Sequence, residues 1–126
     1  MVRGVLDASV LIGPPVDPAT LPDAGAISVM TLAELEIGVL VADATTREER
    51  LRVLLDAQRE LEPLPVDESV ARNYAALVAA ARRLGRRPGV IDTIVAATAR
   101  RHSVPVMTRD RDFLAFDGEV EVVILD

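Results

Sequence analysis

Acidic residues at four places in this chain could together do chemistry. Asp7 directly follows a short apolar run, and Glu34 and Asp92 lie early in helical patterns. A fourth acid, Asp110 or Asp112, lies in the segment TRDRDF after another apolar run. If the fold gathers these carboxylates, they repel one another, and some must bind protons unless a cation neutralises them.

Each acid also has a purely structural explanation. Asp7 could cap a following helix, and Glu34 stands three residues after Thr31, which is the spacing of a capping box. Asp92 in the first turn of a helix would complement the helix dipole, and Asp is common in turns such as TRDRDF. A functional interpretation therefore requires that the fold bring these acids together.

The available donor types indicate which ion such a cluster would bind. The sequence has no cysteine and one histidine, His102, which lies near a predicted helix end and is interpreted as surface structure. Ligation by oxygen atoms alone favours Mg²⁺ or Mn²⁺ over zinc. Such an ion polarises a phosphoryl oxygen and activates a bound water. The acids therefore predict metal-dependent hydrolysis of a phosphodiester.

Alternating strand and helix patterns are expected to position the acids. Strands are predicted at residues 2–6, 26–30, 62–66, 104–107 and 120–125, and helices at residues 31–42, 46–61, 67–84 and 90–102. Residues 13–25 contain four prolines and predict a loop with at most one helical turn after Asp17–Pro18. Together these elements predict one α/β domain over residues 1–126, a three-layer α/β/α sandwich with a mainly parallel central sheet.

This architecture would bring the acids to one edge of the sheet. The carboxyl ends of parallel strands share an edge, and ligands bind in the crevice there. Asp7 and the TRDRDF acids follow two such strands, and Glu34 lies one turn into the helix after a third. Asp92 shares its helix stripe with Val95, Ala96 and Ala99, which predicts that its carboxylate points inward.

Other residues predict helix ends and close approaches. Thr46 and Glu49 have the spacing of a second capping box, Asp67 is a predicted helix cap, and Gly85 a predicted helix stop. Gly38 lies on the same helix face as Glu34, so missing bulk there would admit another element or a substrate.

The charge distribution modifies the expectation from the net charge. A net charge of −6 argues against nucleic-acid binding, but nine arginines and only two acids lie between residues 72 and 111. The densest group could bind phosphates or could be a solvated helix end: Arg82, Arg83, Arg86 and Arg87. The chain has no lysine, which excludes Schiff-base and P-loop chemistry and disfavours receiver and haloacid-dehalogenase-type phosphoryl transfer.

Four segments resemble a known family. LDASVLI at residues 6–12, S-x-x-T-x-x-E-L at 28–35, IDTIVAATA at 91–99 and VMTRDRDF at 106–113 are similar to the PIN domain, and more narrowly to the VapC toxins of toxin–antitoxin pairs. The resemblance implies a homodimeric, Mg²⁺- or Mn²⁺-dependent endoribonuclease that cuts RNA. It also implies inhibition by a cognate VapB-type antitoxin that covers the active site.

The resemblance also assigns residues by position. Asp7, Glu34 and Asp92 match the first three acids of the family, and the fourth is Asp110, with Asp112 as the alternative. A metal ion would be held by Asp7, Asp92 and Asp110. The small hydroxyl residues that line such a pocket would be Ser9 and Thr108. The proline-rich residues 13–25 depart from the family pattern, which has a helical segment after the first strand.

Two further expectations complete the sequence interpretation. No apolar run approaches the ~18 residues that span a bilayer, and the first residues do not have the pattern of an export signal, so a cytoplasmic protein without membrane contact is expected. The non-enzymatic alternative is a PIN-like module that binds RNA or protein without cleaving RNA.

Overall fold

The computed structural model describes residues 2–126, which contain a five-stranded parallel sheet. Its strands are β1 (Gly4–Leu6), β2 (Gly25–Ser28), β3 (Glu62–Leu64), β4 (Val106–Thr108) and β5 (Val122–Ile124). Every neighbouring pair is parallel, in the order β3-β2-β1-β4-β5. The chain moves outward from β1 in both directions, so the strand order reverses between β1 and β4. In open α/β sheets this reversal opens the ligand-binding crevice.

Helices cover both faces of the sheet. They are α1 (Ala8–Leu11), α2 (Val29–Leu40), α3 (Arg47–Glu60), α4 (Glu68–Arg83) and α5 (Val90–Arg101), with short 3₁₀ helices at Pro18–Thr20 and Arg111–Phe116. Helices α4 and α5 pack against each other, as do α2 and α3. The α/β/α architecture predicted from the sequence is confirmed, and the sheet is wholly parallel. None of the helices within residues 2–126 has the length and apolar character that crossing a bilayer requires.

Alternate strand residues enter separate cores. Val5 and Ala26 join the core beneath α4 and α5, whereas their neighbours Leu6 and Ile27 face the opposite side. This alternation is the two-residue period of a strand whose two faces are both covered. The predicted inward stripe of α5 is confirmed, since Val95, Ala96 and Ala99 are fully buried.

The start of α2 corrects one capping prediction. The helix begins at Val29, and the Ser28 hydroxyl accepts a 3.1 Å hydrogen bond from the Met30 amide. Thr31 is inside the helix and fully buried, so the predicted capping box of Thr31 and Glu34 is wrong. The physical reason is that β2 ends at Ser28, whose extended backbone presents the first hydroxyl able to reach the free amides.

The start of α3 corrects the second capping prediction. Oδ1 of Asp43 accepts hydrogen bonds from the amides and the hydroxyls of both Thr45 and Thr46. Thr46 therefore makes no side-chain cap, and Glu49 pairs with Arg52 instead. The predicted capping box of Thr46 and Glu49 is wrong because Asp43 supplies a stronger, charged acceptor to the same turn.

Other local predictions are confirmed. Asp67 caps α4 through a 2.9 Å bond from the Val70 amide, and Gly85 follows that helix with φ of +70°. The single helical turn expected after Asp17 is the 3₁₀ helix Pro18–Thr20. The one-turn helix α1 was not predicted as an element, because four residues are too few to show a helical period.

Candidate active site

Asp7 lies where β1 ends and caps α1, but its contacts extend beyond capping. It is only 6% exposed. Its Oδ2 accepts hydrogen bonds from the Ser9 hydroxyl at 2.7 Å and from the Thr108 hydroxyl at 3.0 Å, with a longer contact of 3.4 Å to the Ser9 amide. Thr108 ends β4, so side chains from two neighbouring strand ends meet on one carboxylate oxygen.

The two hydroxyls are themselves held by the backbone. The Arg109 amide donates to the Ser9 hydroxyl at 2.9 Å, and the Asp110 amide donates to the Thr108 hydroxyl at 2.9 Å. The two hydroxyls lie 3.2 Å from each other, and each is within hydrogen-bond distance of Oδ2 of Asp7. Within residues 2–126, the other oxygen of Asp7, Oδ1, accepts no hydrogen bond. One oxygen of the carboxylate is fixed and the other is available to a ligand.

Asp92 brings α5 to the same place. It lies in the first turn of the helix and is half-buried. Burial and then the charges of Asp7, Asp110 and Asp112, in that order of size, together raise its pKa from the ordinary 3.8 to about 6. A charge that perturbs Asp92 must lie near it, so acids that follow β1 and β4 and an acid of α5 share one site.

Glu34 completes the group from α2. It is exposed to solvent, yet partial burial of its carboxyl and the charges of Asp7 and Asp92 raise its pKa. Since Ser28 caps α2, Glu34 has no capping role, and its competing structural explanation is lost. The acids proposed from the sequence therefore lie near enough for their charges to act on Asp92 and Glu34.

Asp110 and Asp112 lie differently within the TRDRDF segment. Asp110 is half-buried and caps the 3₁₀ helix Arg111–Phe116, its Oδ1 accepting a 2.9 Å bond from the Asp112 amide. Asp112 is exposed in the first turn of that helix. The charge of Asp110 raises the pKa of Asp92 more than the charge of Asp112 does.

The site carries uncompensated negative charge, which is the condition for binding a cation. Burial and every charge that acts on Asp92 raise its pKa, so within residues 2–126 no cationic side chain offsets this carboxylate. Within residues 2–126, no three Asp, Glu or His side chains lie close enough to one another to coordinate a single metal ion. By charge and by oxygen-donor type, the residues fit a hard divalent cation.

The comparison with known proteins places the chain in a family. Residues 5–119 match the sequence model of the PIN domain. The chain belongs to the PIN-domain family. Within that family, it is 41% identical to Ribonuclease VapC5 of Mycobacterium tuberculosis, over 97% of this chain and 93% of that protein. It is 35% identical to Ribonuclease VapC4 of the same organism, over 79% of this chain and 75% of that protein.

A solved structure agrees with the sequence comparison. The toxin–antitoxin system VapBC-5 of Mycobacterium tuberculosis contains a chain that matches with a TM-score of 0.90 and 42% identity, covering 98% of this chain and 99% of that one. This agreement confirms the fold expected of a PIN domain and the predicted membership among the VapC proteins.

Three of the four arginines proposed as phosphate contacts line a cleft that is separate from the carboxylate site. All four arginines are exposed at the end of α4 and in the loop that follows. An open cleft of about 770 Å³ is lined by Arg82, Arg86 and Arg87 together with Tyr74, whereas Arg83 does not line it. The cleft reaches Val90, two residues before Asp92, so its basic edge lies close along the chain to the acidic site.

Two sets of candidate residues lie outside the site. His102 is the C-cap of α5, at the opposite end of that helix from Asp92. Phe113 and Phe116 are buried against each other, with ring centroids 5.9 Å apart, and belong to the core.

An apolar groove beside Glu34 was not found from the sequence. It has a volume of about 710 Å³ and lies between α2, α3 and the segment after α1, with residues such as Leu11, Leu35, Val53 and Leu61 in its lining. Gly38 also lines it, where Arg50 of α3 lies over the glycine. A Cβ on Gly38 would stand 3.8 Å from Cδ of Arg50, an ordinary contact, so this approach does not require glycine. The signal available in the sequence was the apolar run that continues from Val10 into the prolines.

Proposed function

We propose that this PIN-domain protein is the toxin of a type II toxin–antitoxin pair and acts as a metal-dependent endoribonuclease. The observation that carries the proposal is that the charges of Asp7, Asp110 and Asp112 act on Asp92, and those of Asp7 and Asp92 act on Glu34, beside the reversal of strand order. The named ribonucleases among the relatives support RNA as the substrate. PIN-domain ribonucleases depend on metal ions in general.

Asp7, Asp92 and Asp110 would hold the ion, which we propose to be Mg²⁺ or Mn²⁺. When bound, such an ion polarises the phosphoryl group and favours ionisation of water at neutral pH. The hydroxyls of Ser9 and Thr108 orient Asp7 by fixing its Oδ2 and leaving Oδ1 open.

Glu34 would act as the proton acceptor for the attacking water. It lies at the exposed side of the site, and its side chain makes no hydrogen bond within residues 2–126. A raised pKa brings a carboxylate closer to the working pH, where general-base catalysis is most effective. Asp110 is preferred over Asp112 as the fourth acid, because it is half-buried and acts more strongly on Asp92.

RNA would be held by the arginine cleft through its phosphates. Arg82, Arg86 and Arg87 line the cleft, and within residues 2–126 none of them is engaged in a salt bridge. Guanidinium groups in this state are available for phosphate contacts. Arg83, on the same helix end, would add to the local positive potential.

The partner we propose for the apolar groove is the antitoxin. Four acids and two arginines stand among its lining residues, namely Glu34, Glu49, Asp56, Glu60, Arg50 and Arg52. An apolar floor with an acidic rim fits an amphipathic segment that carries basic residues. Such a segment would cover Glu34 and block the site. We further propose a homodimer that works in the cytoplasm.

The test is cleavage of structured RNA with Mg²⁺, with Mn²⁺ and with a chelator. The wild-type protein should cleave only with metal, and Asp7→Asn should abolish cleavage. Asp23→Asn, an exposed loop acid, is the matched control and should keep full activity. Bound but intact RNA under every metal condition would refute the enzyme and favour the alternative, a binding module with a PIN-like fold.

A further inference from the structure

Arg109 connects the proline-rich segment to the carboxylate site. Its guanidinium donates a hydrogen bond from Nη2 to the carbonyl of Pro14. Nη1 lies 3.8 Å from the position that a Cβ on Gly13 would occupy, and Gly13 has φ of +99°. The Arg109 amide donates to the Ser9 hydroxyl at 2.9 Å. One residue therefore contacts both ends of the stretch from Ser9 to Pro14.

The segment at 13–16 has little other support. Pro14 and Pro15 have no amide proton to donate. Within residues 2–126, the bond from Arg109 to Pro14 is the only hydrogen bond that reaches residues 13–16. Gly13, Pro14 and Pro15 are exposed, and Val16 packs against an apolar cluster. The path of this backbone away from α1 therefore depends on the Arg109 side chain.

Arg109 is held against the protein and does not extend into solvent. Its Nε is buried and has no hydrogen-bond partner, a cost that a freely exposed arginine would avoid. Arg111, two residues later, is fully on the surface and makes no salt bridge within residues 2–126. The two arginines of the TRDRDF segment thus differ in a way that their sequence does not show.

We propose that Arg109 is a positioning residue for Asp7. Its side chain anchors Gly13 and Pro14, which continue directly from α1, and its amide holds the Ser9 hydroxyl. That hydroxyl is 2.7 Å from Oδ2 of Asp7. These contacts hold α1 in a fixed position relative to β4, and the orientation of the free oxygen of Asp7, Oδ1, is thereby maintained. The inference rests on the proposed function, because Asp7 sets a reaction rate only if the site cleaves RNA.

The experiment compares Arg109→Met, Arg109→Lys and the matched control Arg111→Met, which removes the same charge two residues away. For each, kcat and KM for cleavage of structured RNA are measured with Mn²⁺, and amide hydrogen exchange is followed at Ser9, Val10 and Ile12, whose amides donate hydrogen bonds in and beside α1. Arg109→Met should lower kcat by roughly tenfold, less than the ~100-fold loss that a 1 Å misplacement can cause, with KM unchanged. Exchange at Ser9, Val10 and Ile12 should become faster.

The controls separate positioning from general structure. Arg109→Lys keeps a donor for Pro14 and should fall between Arg109→Met and wild type in both kcat and exchange. Arg111→Met should match wild type in both. A raised KM with unchanged exchange would show that Arg109 contacts RNA directly, and a faster exchange with unchanged kcat would show that the anchor does not position Asp7. Either result would overturn the inference.

Failure of the proposed function has a different signature. If wild-type protein does not cleave RNA under any metal condition, the nuclease proposal fails irrespective of Arg109. Exchange at the Ser9 amide, which contacts Oδ2 of Asp7, then still tests the anchor. Unchanged Ser9 exchange in Arg109→Met would overturn the positioning role on its own.

Discussion

The hydroxyl of Thr108 donates a 3.0 Å hydrogen bond to Oδ2 of Asp7, although the two residues are 101 positions apart in the chain. The bond joins the ends of β4 and β1 at the reversal of strand order. It fixes one oxygen of the carboxylate, and the fold thereby determines which oxygen is left to a ligand.

Thr108→Val should weaken both the site and the fold. Valine has nearly the same shape, but it leaves Asp7 and the Asp110 amide without the hydroxyl that links them. Loss of a residue that orients a metal ligand typically lowers activity by about 10- to 100-fold, and a buried unsatisfied group costs about 1–3 kcal/mol. RNA cleavage and chemical denaturation measure the two effects. Thr20→Val removes an exposed hydroxyl that within residues 2–126 bonds only the Asp17 carbonyl, far from Asp7 in the chain, and should leave the cleavage rate unchanged.

Asp92 should make the stability of the metal-free protein fall between about pH 4 and pH 6. Its folded pKa, about 6, is above the ordinary 3.8, so the folded state binds more protons than the unfolded state in this range. The stabilising contribution is complete below about pH 4 and is lost as the pH rises through 6. Asp92→Asn should therefore stabilise the protein at pH 7.5 but not at pH 4, by about 1 kcal/mol after allowance for solvent screening.

Thermal unfolding at the two pH values measures this difference. Asp23→Asn removes a negative charge from an exposed loop and should change the melting temperature equally at both. If Asp92→Asn shifts the melting temperature by the same amount at pH 4 and pH 7.5, the electrostatic account of Asp92 is wrong.

Divalent metal should stabilise the protein at neutral pH and much less at pH 5. The carboxylates that would hold the ion must be ionised, and Asp92 is mostly protonated at pH 5. At a metal concentration 100 times the dissociation constant, the expected gain is about 2.7 kcal/mol. Calorimetric titration with Mn²⁺ at pH 7.5 and pH 5 measures the change in affinity. Asp7→Asn should remove most of the binding, and equal affinity at the two pH values would contradict the assignment of Asp92 as a ligand.

The sequence predicted the positions of the acids better than their surroundings. The positions of Asp7, Asp92 and Asp110 at strand ends and in a first helical turn could be predicted, because the spacing of apolar residues indicates where strands and helices begin and end. The capping box at Thr31 fails because α2 begins earlier, with Ser28 as its cap, and the one at Thr46 fails because Asp43 accepts from the Thr46 amide and hydroxyl; both outcomes depend on backbone geometry.

Contacts between distant segments were outside the reach of the sequence. The resemblance suggested that the hydroxyls of Ser9 and Thr108 line the pocket, but not that both bond the same oxygen of Asp7. The hydrogen bond from Arg109 to the Pro14 carbonyl joins residues that are 95 positions apart, and the spacing of residues within either segment gives no sign of it. The apolar groove beside Glu34 likewise exists only after α2 and α3 pack together.

Removing a charge from the arginine cleft should weaken RNA binding without slowing the chemical step. Arg86 lines the cleft and makes no salt bridge within residues 2–126, so Arg86→Gln should raise KM several-fold and leave kcat unchanged. Each lost phosphate contact should also reduce the salt dependence of binding, by about 0.7 in the logarithmic slope for single-stranded RNA. Binding titrations between 50 and 200 mM salt, roughly the range in which phosphate contacts dominate, measure that slope. Arg59→Gln removes an exposed arginine of α3 outside the cleft and should keep the wild-type slope. A slope that falls equally in both variants would show that RNA responds to net charge and not to this cleft.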